Sequence, residues 1–342
     1  MKLLEHISLK GYNTFGINVT AKYFATFNSV DGINELIEFN KPSTSNRQRS
    51  TLILGGGSNI LFTKDYDGLV MKNEMTGIHE VKEDLHHIYV HVGAGEDWHG
   101  FVEHCLHNNW AGVENLALIP GNVGASPMQN IGAYGVEVKN VIHAVEAFHI
   151  GEKKIHIFSV NDCVFGYRDS IFKNKLRNEF VITGVTFRLN KKPVFNISYG
   201  AIDQELERMG VKELSIQSIA QAIINIRSSK LPDPKVMGNA GSFFKNPHVT
   251  VEAFRKLKED FPKIVGYVQE NGEYKLAAGW MIEYCGWKGF RRGDAGCHSW
   301  QSLVLVNYGN ASGKEILDLS EEILQSVKEK FSVVLEREVN II

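Results

Sequence analysis

Residues 115–136 read NLALIPGNVGASPMQNIGAYGV and contain no charged side chain, although charged types make up 22% of the chain. Glycine and proline recur through the stretch and argue against a helix. Asn122, Ser126, Gln129 and Asn130 interrupt any apolar run long enough to span a membrane. The stretch is therefore predicted to be a buried, irregular backbone whose glycine turns can direct several N–H groups at one anion. A phosphate-bearing ligand and a loop bonded only to protein fit this stretch equally well.

The length of 342 residues favours two or three domains that share a cleft. A formal charge of −2 gives no strong attraction to nucleic acid or to an acidic membrane surface. The four cysteines form no C-x-x-C pair, which fits a reducing cytoplasm better than a disulfide scaffold. The first 16 residues lack the apolar core of a signal peptide. We therefore expect a soluble cytoplasmic protein with no membrane, nucleic-acid or obligatory protein partner.

A glycine turn, Gly55-Gly56-Gly57-Ser58-Asn59, follows the predicted strand TLIL at residues 51–54. It is not a Rossmann fingerprint, because Ile60 stands where the third glycine belongs and another strand follows instead of a helix. We interpret it as an anion-binding turn between strands, although an ordinary turn is the more frequent meaning of this motif alone. A second glycine turn ends the predicted strand 88–95.

Apolar periodicity predicts short strands with few helices, which is typical of an α+β protein. Further strands are predicted at residues 21–27, 141–150 and 180–189, and helices at 30–40, 97–109, from about Ser215 to an end just before Lys230, and after the capping box 312–315. A polar loop is predicted at 41–50. His104 and His107 are interpreted as surface residues, and no metal site is predicted.

Six motifs in chain order together resemble the UDP-N-acetylenolpyruvoylglucosamine reductase family. They are GYNTFG (11–16), GGGSN (55–59), PGNVGASPMQNIGAYG (120–135), FGYRDSIFK (165–173), KLPDPK (230–235) and NAGSFFKNP (239–247). The resemblance implies a vanillyl-alcohol-oxidase-type FAD-binding domain of two α+β subdomains and a C-terminal α+β substrate-binding domain. It also implies NADPH-dependent reduction of UDP-N-acetylglucosamine enolpyruvate to UDP-N-acetylmuramate in peptidoglycan precursor synthesis.

The same resemblance divides the chain and places the cofactor. Residues 1–75, rejoined by 331–342, would form the first FAD-binding subdomain, residues 76–229 the second, and residues 230–330 the substrate-binding domain. FAD is expected to be held without a covalent bond, because no histidine or cysteine stands immediately inside the glycine motifs. The implied cofactor-binding residues are Gly55, Gly56, Gly57, Ser58, Asn59, Pro120, Gly121, Gly124, Ser126, Gln129, Gly132 and Ala133.

Reduction of a C=C bond conjugated to a carboxylate requires two functional groups of the protein, a cation and an acid. Hydride delivery to the β-carbon builds negative charge on the α-carbon and carboxylate, so a fixed cation must hold that charge and an acid must protonate the α-carbon. Arg168 suits the first task, because its planar fork matches a carboxylate. The spacing alone favours an ordinary ion pair between Arg168 and Asp169. The resemblance to the family favours binding of the substrate carboxylate by Arg168 instead.

Ser242 resembles the proton donor of the family, although a turn or capping serine is ordinarily the commoner case. Glu338 resembles the glutamate beside the transferred proton. On a strand both Glu336 and Glu338 would point to one face. The place of Glu338 before Val339 matches the family pattern, and Glu336 is therefore the weaker candidate. Asn340 follows where a basic residue is expected.

Four residues resemble substrate contacts, with ordinary surface side chains as the alternative. They are Tyr199, a mobile tyrosine in the family, Lys230, Asn246 and Gln301. Ser299 and Trp300 beside Gln301 differ from the expected forms. Two other functions are alternatives to the reductase: a flavin-dependent oxidase of a small hydroxy acid on the same fold, and a non-catalytic nucleotide-sugar binding protein. A binding protein would not need Arg168, Ser242 and Glu338 together.

Overall fold

The computed structural model describes residues 2–41 and 50–342, so the predicted polar loop lies mostly outside the described residues. The chain forms two compact units. Unit 1 comprises Met1–Ile7, Ala21–Gly56 and Asp67–Ser229. Unit 2 comprises Ser8–Thr20, Gly57–Tyr66 and Lys230–Ile342.

The described chain combines runs of strands with seven α-helices. The strands are β1 (Leu4–Ser8), β2 (Thr20–Phe27), β3 (Ser50–Leu54), β4 (Ile60–Leu61), β5 (Tyr66–Asn73), β6 (Ile78–Glu83), β7 (His87–Gly93), β8 (Gly132–Ala133), β9 (Val136–Glu137), β10 (Ile142–His149), β11 (Lys154–Ser159), β12 (Phe180–Asn190), β13 (Gly238–Ser242), β14 (His248–Val249), β15 (Gly266–Val268), β16 (Tyr274–Leu276), β17 (Arg291–Arg292), β18 (Ala295–Cys297), β19 (Val304–Asn307) and β20 (Asn340–Ile341). The α-helices are α1 (Val30–Asn40), α2 (Trp98–His107), α3 (Gly200–Arg208), α4 (Ile216–Lys230), α5 (Val251–Asp260), α6 (Ala278–Tyr284) and α7 (Gly313–Phe331).

The first sheet of unit 1 has the strand order β1-β2-β5-β3, with β3 and β5 parallel. Helix α1 begins where Ser29 accepts a hydrogen bond from the N–H of Gly32, and it buries Ile33 and Leu36 against this sheet. Strand β3 was predicted to be buried, but it is an edge strand in which only Leu54 is buried. Because it ends at Leu54, it delivers the first glycine turn from the edge of the sheet.

The second sheet of unit 1 has the order β11-β10-β12-β7-β6, and its pairings are antiparallel. Apolar side chains of α2 and α4 share one core with its central strands. Helix α2 begins at Asp97, whose side chain accepts from the N–H of Gly100. The sequence placed the end of α4 too early: Lys230 is its last residue, because an unbroken apolar stripe continues to Ile226 and the first proline stands two residues beyond Lys230.

Unit 2 contains a four-stranded sheet of order β13-β19-β18-β17, a three-stranded sheet of order β14-β16-β15, and the parallel pair β20 and β4. Helix α7 has the predicted capping box, with Ser312 and Glu315 satisfying each other's backbone N–H groups. The segment before β20 is extended but is not a full strand, since Arg337 forms only a single bridge, to Phe244. The strands and helices of both units agree with the predicted α+β class.

One domain boundary from the sequence coincides with a unit boundary, at residues 229 and 230. Within the predicted first subdomain, residues 8–20 and 57–66 belong to unit 2, as do residues 331–342. The parallel pair β20 and β4 explains this grouping, because it joins the C-terminal strand to residues 60–61. The three-domain division therefore stays a prediction. Among the described residues, no helix has the length and apolar character needed to cross a bilayer.

We predict that Ser312→Ala lowers the free energy of unfolding of unit 2 by about 1 kcal/mol, because it leaves N–H groups of the first turn of α7 without an acceptor. Hydrogen bonds from Ser312 hold the pKa of Glu315 below its ordinary value. This stabilisation is therefore present at neutral pH and is lost as the pH falls through that lowered pKa. Urea unfolding followed by circular dichroism at several pH values measures both effects. Ser312→Thr keeps a hydroxyl cap and should match the parent protein.

Candidate functional site

Two glycine turns of unit 1 touch through their backbones. A β-carbon built at Gly56 would lie 2.8 Å from Cα of Gly121 and 2.9 Å from Oδ1 of Asn122, so no larger residue fits there without moving one of the turns. At Gly55 the nearest atom to such a β-carbon is 3.6 Å away, which is an ordinary contact. The turn that follows β3 and the uncharged stretch thus form one continuous backbone surface.

Asn122 is fixed in this surface by hydrogen bonds of its side chain. Its backbone N–H takes no part in the bridge between Asn122 and Asp97. Its Nδ2 donates to the carbonyl of Gly95 and, at 3.2 Å, to that of Glu96. The N–H of Trp98 donates to the carbonyl of Gly121, and the N–H of Val123 to the carbonyl of Glu96. In this antiparallel arrangement the N–H of Asn122 points away from the paired segment.

The remainder of the turn is bonded internally. The N–H of Gly124 donates to the carbonyl of Ala94 at 2.9 Å, and a β-carbon at Gly124 would lie 2.5 Å from Cβ of Ala94. The N–H groups of Ala125 and Ser126 donate to carbonyls of Asn122 and Val123. The N–H groups of residues 123–126 are therefore used within the protein. The prediction that N–H groups of this stretch can bind an anion applies to Asn122 and not to these residues.

The hydroxyl of Ser126 has no hydrogen-bond partner in the described part of the chain, although the residue is 1% exposed. A buried hydroxyl without a partner is costly, and a bound polar group would remove that cost. Four other predicted cofactor residues are half-buried: Ser58, Gln129, Gly132 and Ala133. Pro120 is exposed.

The second half of the first glycine turn belongs to unit 2. Gly57 has φ +65°, and a β-carbon there would lie 2.0 Å from the carbonyl oxygen of Tyr12, so only glycine fits. Its carbonyl accepts from the N–H of Thr14 at 3.1 Å. The carbonyl of Asn59 accepts from Nδ2 of Asn340 at 2.9 Å. Asn340 stands where a basic residue was expected, and its side chain binds a backbone carbonyl.

Arg168 lies at the tip of a two-residue turn closed by mutual backbone hydrogen bonds between Gly166 and Asp169. Its φ of +55° is unusual for a residue with a side chain, and such conformations concentrate at functional sites. The guanidinium donates to the carbonyls of Asn130 and Gly132. Both oxygens of Asp169 accept from Nδ2 of Asn174, at 2.8 and 2.9 Å. The fork of Arg168 is therefore fixed against the uncharged stretch.

Unit 2 brings Ser242 and Glu338 together through its backbone. The N–H of Glu338 donates to the carbonyl of Phe243 at 2.8 Å, in an antiparallel pairing beside the single bridge between Phe244 and Arg337. A bulge in β13, between Asn239 and Ser242, changes the direction of the strand just before Ser242. The Ser242 hydroxyl makes no hydrogen bond to any described residue, which is not the pattern of a capping serine.

The two candidate glutamates differ in their surroundings. Glu336 forms an ion pair with Lys245 at 3.0 Å, and its side chain is 73% exposed. Glu338 is half-buried, and its carbonyl accepts from Nδ2 of Asn59. Its lower exposure favours Glu338 over Glu336 as the candidate that acts on a bound molecule.

Asn246 and Gln301 both lie at the start of α6. Oδ1 of Asn246 accepts from the N–H of Ala278 at 3.0 Å, and Oε1 of Gln301 lies 3.3 Å from the position of a β-carbon at Gly279. Trp300 beside them is 74% exposed. Lys230 is exposed at the end of α4. The structure thus clusters two of the four predicted substrate residues in unit 2.

Tyr199 is half exposed and immediately precedes α3 in unit 1. Its ring meets the ring of Tyr134 edge to face at 5.5 Å. Burial raises the pKa of Tyr134, and the nearby guanidinium of Arg227 partly offsets that rise. Desolvation lowers the pKa of Arg227, whose Nε donates to the carbonyl of Leu118. Arg227 and Tyr134 were not among the predicted site residues, although Arg227 contacts the uncharged stretch and Tyr134 lies within it.

Comparison with known proteins identifies the class. A family model described as "FAD binding domain" matches residues 23–154, and one described as "UDP-N-acetylenolpyruvoylglucosamine reductase, C-terminal domain" matches residues 233–342. The chain is therefore a flavin-dependent oxidoreductase in which an FAD-binding domain precedes a specialised C-terminal domain. This confirms the predicted enzyme class and the predicted FAD cofactor.

Relatives along the whole chain identify the family. Proteins named UDP-N-acetylenolpyruvoylglucosamine reductase from Amoebophilus asiaticus and Flavobacterium johnsoniae are 48% and 46% identical, with 100% of this chain and of each relative covered. One from Pseudomonas savastanoi is 47% identical and covers 100% of this chain and 99% of its own length. The chain belongs to the UDP-N-acetylenolpyruvoylglucosamine reductase family, as its motifs predicted.

A solved structure shares the fold. The crystal structure of UDP-N-acetylenolpyruvylglucosamine reductase from Thermus caldophilus matches with a TM-score of 0.67 and 24% identity, over 100% of this chain and 99% of that chain. The predicted fold, an FAD-binding domain with a C-terminal domain in an α+β protein, is confirmed.

We predict that Gly56→Ala separates the two glycine turns of unit 1 and destabilises that unit, because the added methyl group lies 2.8 Å from Cα of Gly121. The cost should fall within the 1–3 kcal/mol that overpacking typically causes. Gly55→Ala is the matched control, one position away, where the added carbon meets nothing closer than 3.6 Å. Thermal unfolding of the two apoproteins measures the difference. Equal melting temperatures would show that the turns can separate freely.

Proposed function

We propose that this protein reduces the enolpyruvyl ether of UDP-N-acetylglucosamine enolpyruvate to UDP-N-acetylmuramate, a step of peptidoglycan precursor synthesis. The observation that carries the proposal is the backbone pairing of Phe243 with Glu338, which holds the segment of the candidate proton donor Ser242 against the segment that carries the half-buried Glu338. Relatives of this length and identity bear the name of that reductase. NADPH is proposed as the co-substrate and the cytoplasm as the location.

The glycine turns of unit 1 fit the phosphates of FAD. Gly56 and Gly121 leave no space for a side chain at their contact, the N–H of Asn122 points out of its pairing, and the Ser126 hydroxyl lacks a partner among the described residues. These groups would hold the cofactor without a covalent bond, since neither turn contains a histidine or cysteine. When bound, FAD supplies the hydride-transfer chemistry.

Arg168 is proposed to bind the carboxylate of the enolpyruvyl group. Two backbone carbonyls hold its guanidinium, so its charge is already in place when negative charge develops on the substrate. A cation that needs no rearrangement stabilises the transition state more than the ground state.

Ser242 is proposed to donate the proton to the α-carbon, with Glu338 influencing that proton transfer. The paired backbones of Phe243 and Glu338 fix both residues on one framework, and the bulge in β13 sets the direction of Ser242. A serine hydroxyl is a weak acid, but an enolate carbon is basic enough to take its proton when the two are correctly placed. Asn246 and Gln301, at the start of α6, and Lys230 are proposed substrate contacts, together with Tyr199.

A second function, oxidation of a small hydroxy acid, has less support. Oxidation removes a proton from the substrate and therefore requires a base, whereas Ser242 without an adjacent histidine is suited to donation. Among the described residues, Ser242 has no hydrogen-bonded base, so reduction agrees better with this arrangement.

We predict opposite effects of Ser126→Ala on the apoprotein and on FAD binding. Without FAD the variant should be as stable as the parent protein or slightly more stable, because the substitution removes a buried hydroxyl that has no partner. With FAD, loss of one hydrogen bond should weaken binding by roughly 3- to 15-fold. Melting temperatures with and without FAD, and titration of apoprotein by flavin fluorescence, measure both. A large loss of apoprotein stability would show that Ser126 serves only the fold.

We predict that Ser242→Ala separates the two half-reactions. Reaction with NADPH, followed as loss of flavin absorbance, should stay near normal because the hydroxyl takes no part in it. Reaction of the pre-reduced protein with the enolpyruvyl substrate should slow by about 10²- to 10⁴-fold, as expected for loss of a positioned acid. Rapid mixing measures each half-reaction directly.

The control for this experiment is Ser242→Cys, which restores a donor and should recover part of the rate. Glu336→Gln is a second control, because Glu336 is exposed and paired with Lys245, and it should leave the second half-reaction unchanged. Reoxidation of Ser242→Ala as fast as the parent protein would assign the proton to another group.

A further inference from the structure

The segment that leads into Tyr199 forms one wall of a cavity of about 640 Å³ in unit 1. Val194, Phe195, Asn196, Ile197 and Ser198 line this wall. The opposite wall includes Glu114 and Asn115, which are 3% and 2% exposed. Residues 194–198 have no regular secondary structure, so their position depends on contacts with that wall.

Asn115 makes the central contact. Its Nδ2 donates to the backbone carbonyl of Asn196 at 2.9 Å and, more weakly, to the backbone carbonyl of Tyr134 at 3.4 Å. The two hydrogens of one buried amide therefore connect the segment before Tyr199 to the segment that carries Tyr134. Nδ2 of Asn196 adds a weak hydrogen bond to the carbonyl of Gly135 at 3.4 Å.

These contacts determine where the two tyrosine rings meet. Tyr199 is three residues beyond Asn196, and its ring lies 5.5 Å from that of Tyr134 at an angle of 86°. If the segment moved away, Asn115 would lose its shorter hydrogen bond and leave a buried donor poorly satisfied. The cost of such a group opposes the movement and favours return of the segment.

We infer that Asn115 is a positioning residue that holds segment 194–198 and thereby places Tyr199 for substrate binding. The inference rests on the proposed function, in which Tyr199 contacts the substrate. Asn115 itself contacts no reacting group in this scheme and acts through two backbone carbonyls. Its effect is therefore expected on substrate affinity and on the mobility of the segment, with no effect on the reaction with NADPH.

The test compares Asn115→Ala with Asn140→Ala in the FAD-loaded protein. Asn140 lines the same cavity, is exposed, and donates no side-chain hydrogen bond to the segment in the described structure. Asn115→Ala should increase hydrogen–deuterium exchange of the amides in residues 194–200 by on the order of tenfold, the effect of losing one buried hydrogen bond. Asn140→Ala should leave that exchange unchanged.

Steady-state kinetics supply the second readout. Asn115→Ala should raise KM for the enolpyruvyl substrate by on the order of tenfold and leave the rate of flavin reduction by NADPH unchanged. Should the alanine variant not fold, Asn115→Asp keeps the shape and removes the donor, and it should give the same two effects at neutral pH. Unchanged exchange in residues 194–200 would overturn the inference, and so would exchange raised equally throughout unit 1.

Tyr199→Ala separates this inference from the proposed function. If Tyr199→Ala raises KM and Asn115→Ala raises local exchange, both are supported. If Tyr199→Ala leaves KM unchanged, the substrate role of Tyr199 fails, and with it the claim that Asn115 acts in substrate binding. The exchange measurement alone still decides whether Asn115 holds the segment.

Discussion

The close approach of two backbones in unit 1 constrains much of the sequence around it. Gly56 can approach Gly121 so closely only because Gly56 carries no side chain, and the surrounding turns are held by internal hydrogen bonds from Asn122 and residues 123–126. A flat backbone surface of this kind suits phosphate groups, which bind N–H groups better than they bind apolar side chains. The absence of charged residues from 115–136 follows, because a charged side chain here would fill or repel the space that the backbone leaves.

A different constraint organises unit 2, where distant parts of the chain meet at the backbone level. Asn59, near the first glycine turn, bonds to the C-terminal segment, and the same segment pairs with Phe243 and Lys245. Such pairing fixes Ser242 and Glu338 more firmly than side-chain packing alone, because both positions are set by hydrogen bonds of their neighbours. The last residues of the chain are thereby part of the candidate site.

The sequence predicted the elements well where local physics decides them. The helix Val30–Asn40, the capping box at Ser312 and the strand that ends at Leu54 follow from periodicity and caps, and the structure has all three. The predicted burial of that strand was wrong, because it lies at a sheet edge and only Leu54 is buried. The predicted end of α4, just before Lys230, was one residue too early, since a stop signal fixes a region and not a residue. The family and cofactor followed from joint motifs, and the roles of Arg168, Ser242 and Glu338 stay predictions.

What the sequence could not predict is the set of contacts made through main-chain carbonyls. Asn115, Arg227 and Arg168 each donate to a carbonyl of a residue far along the chain, and a carbonyl is the same in every residue. No motif marks such an acceptor. The signal that pointed in the right direction was negative: a stretch without charged side chains offers backbone carbonyls to cationic donors, and Arg168 and Arg227 use them. Buried asparagines and arginines with no partner in their own motif are therefore the residues to examine first around such a stretch.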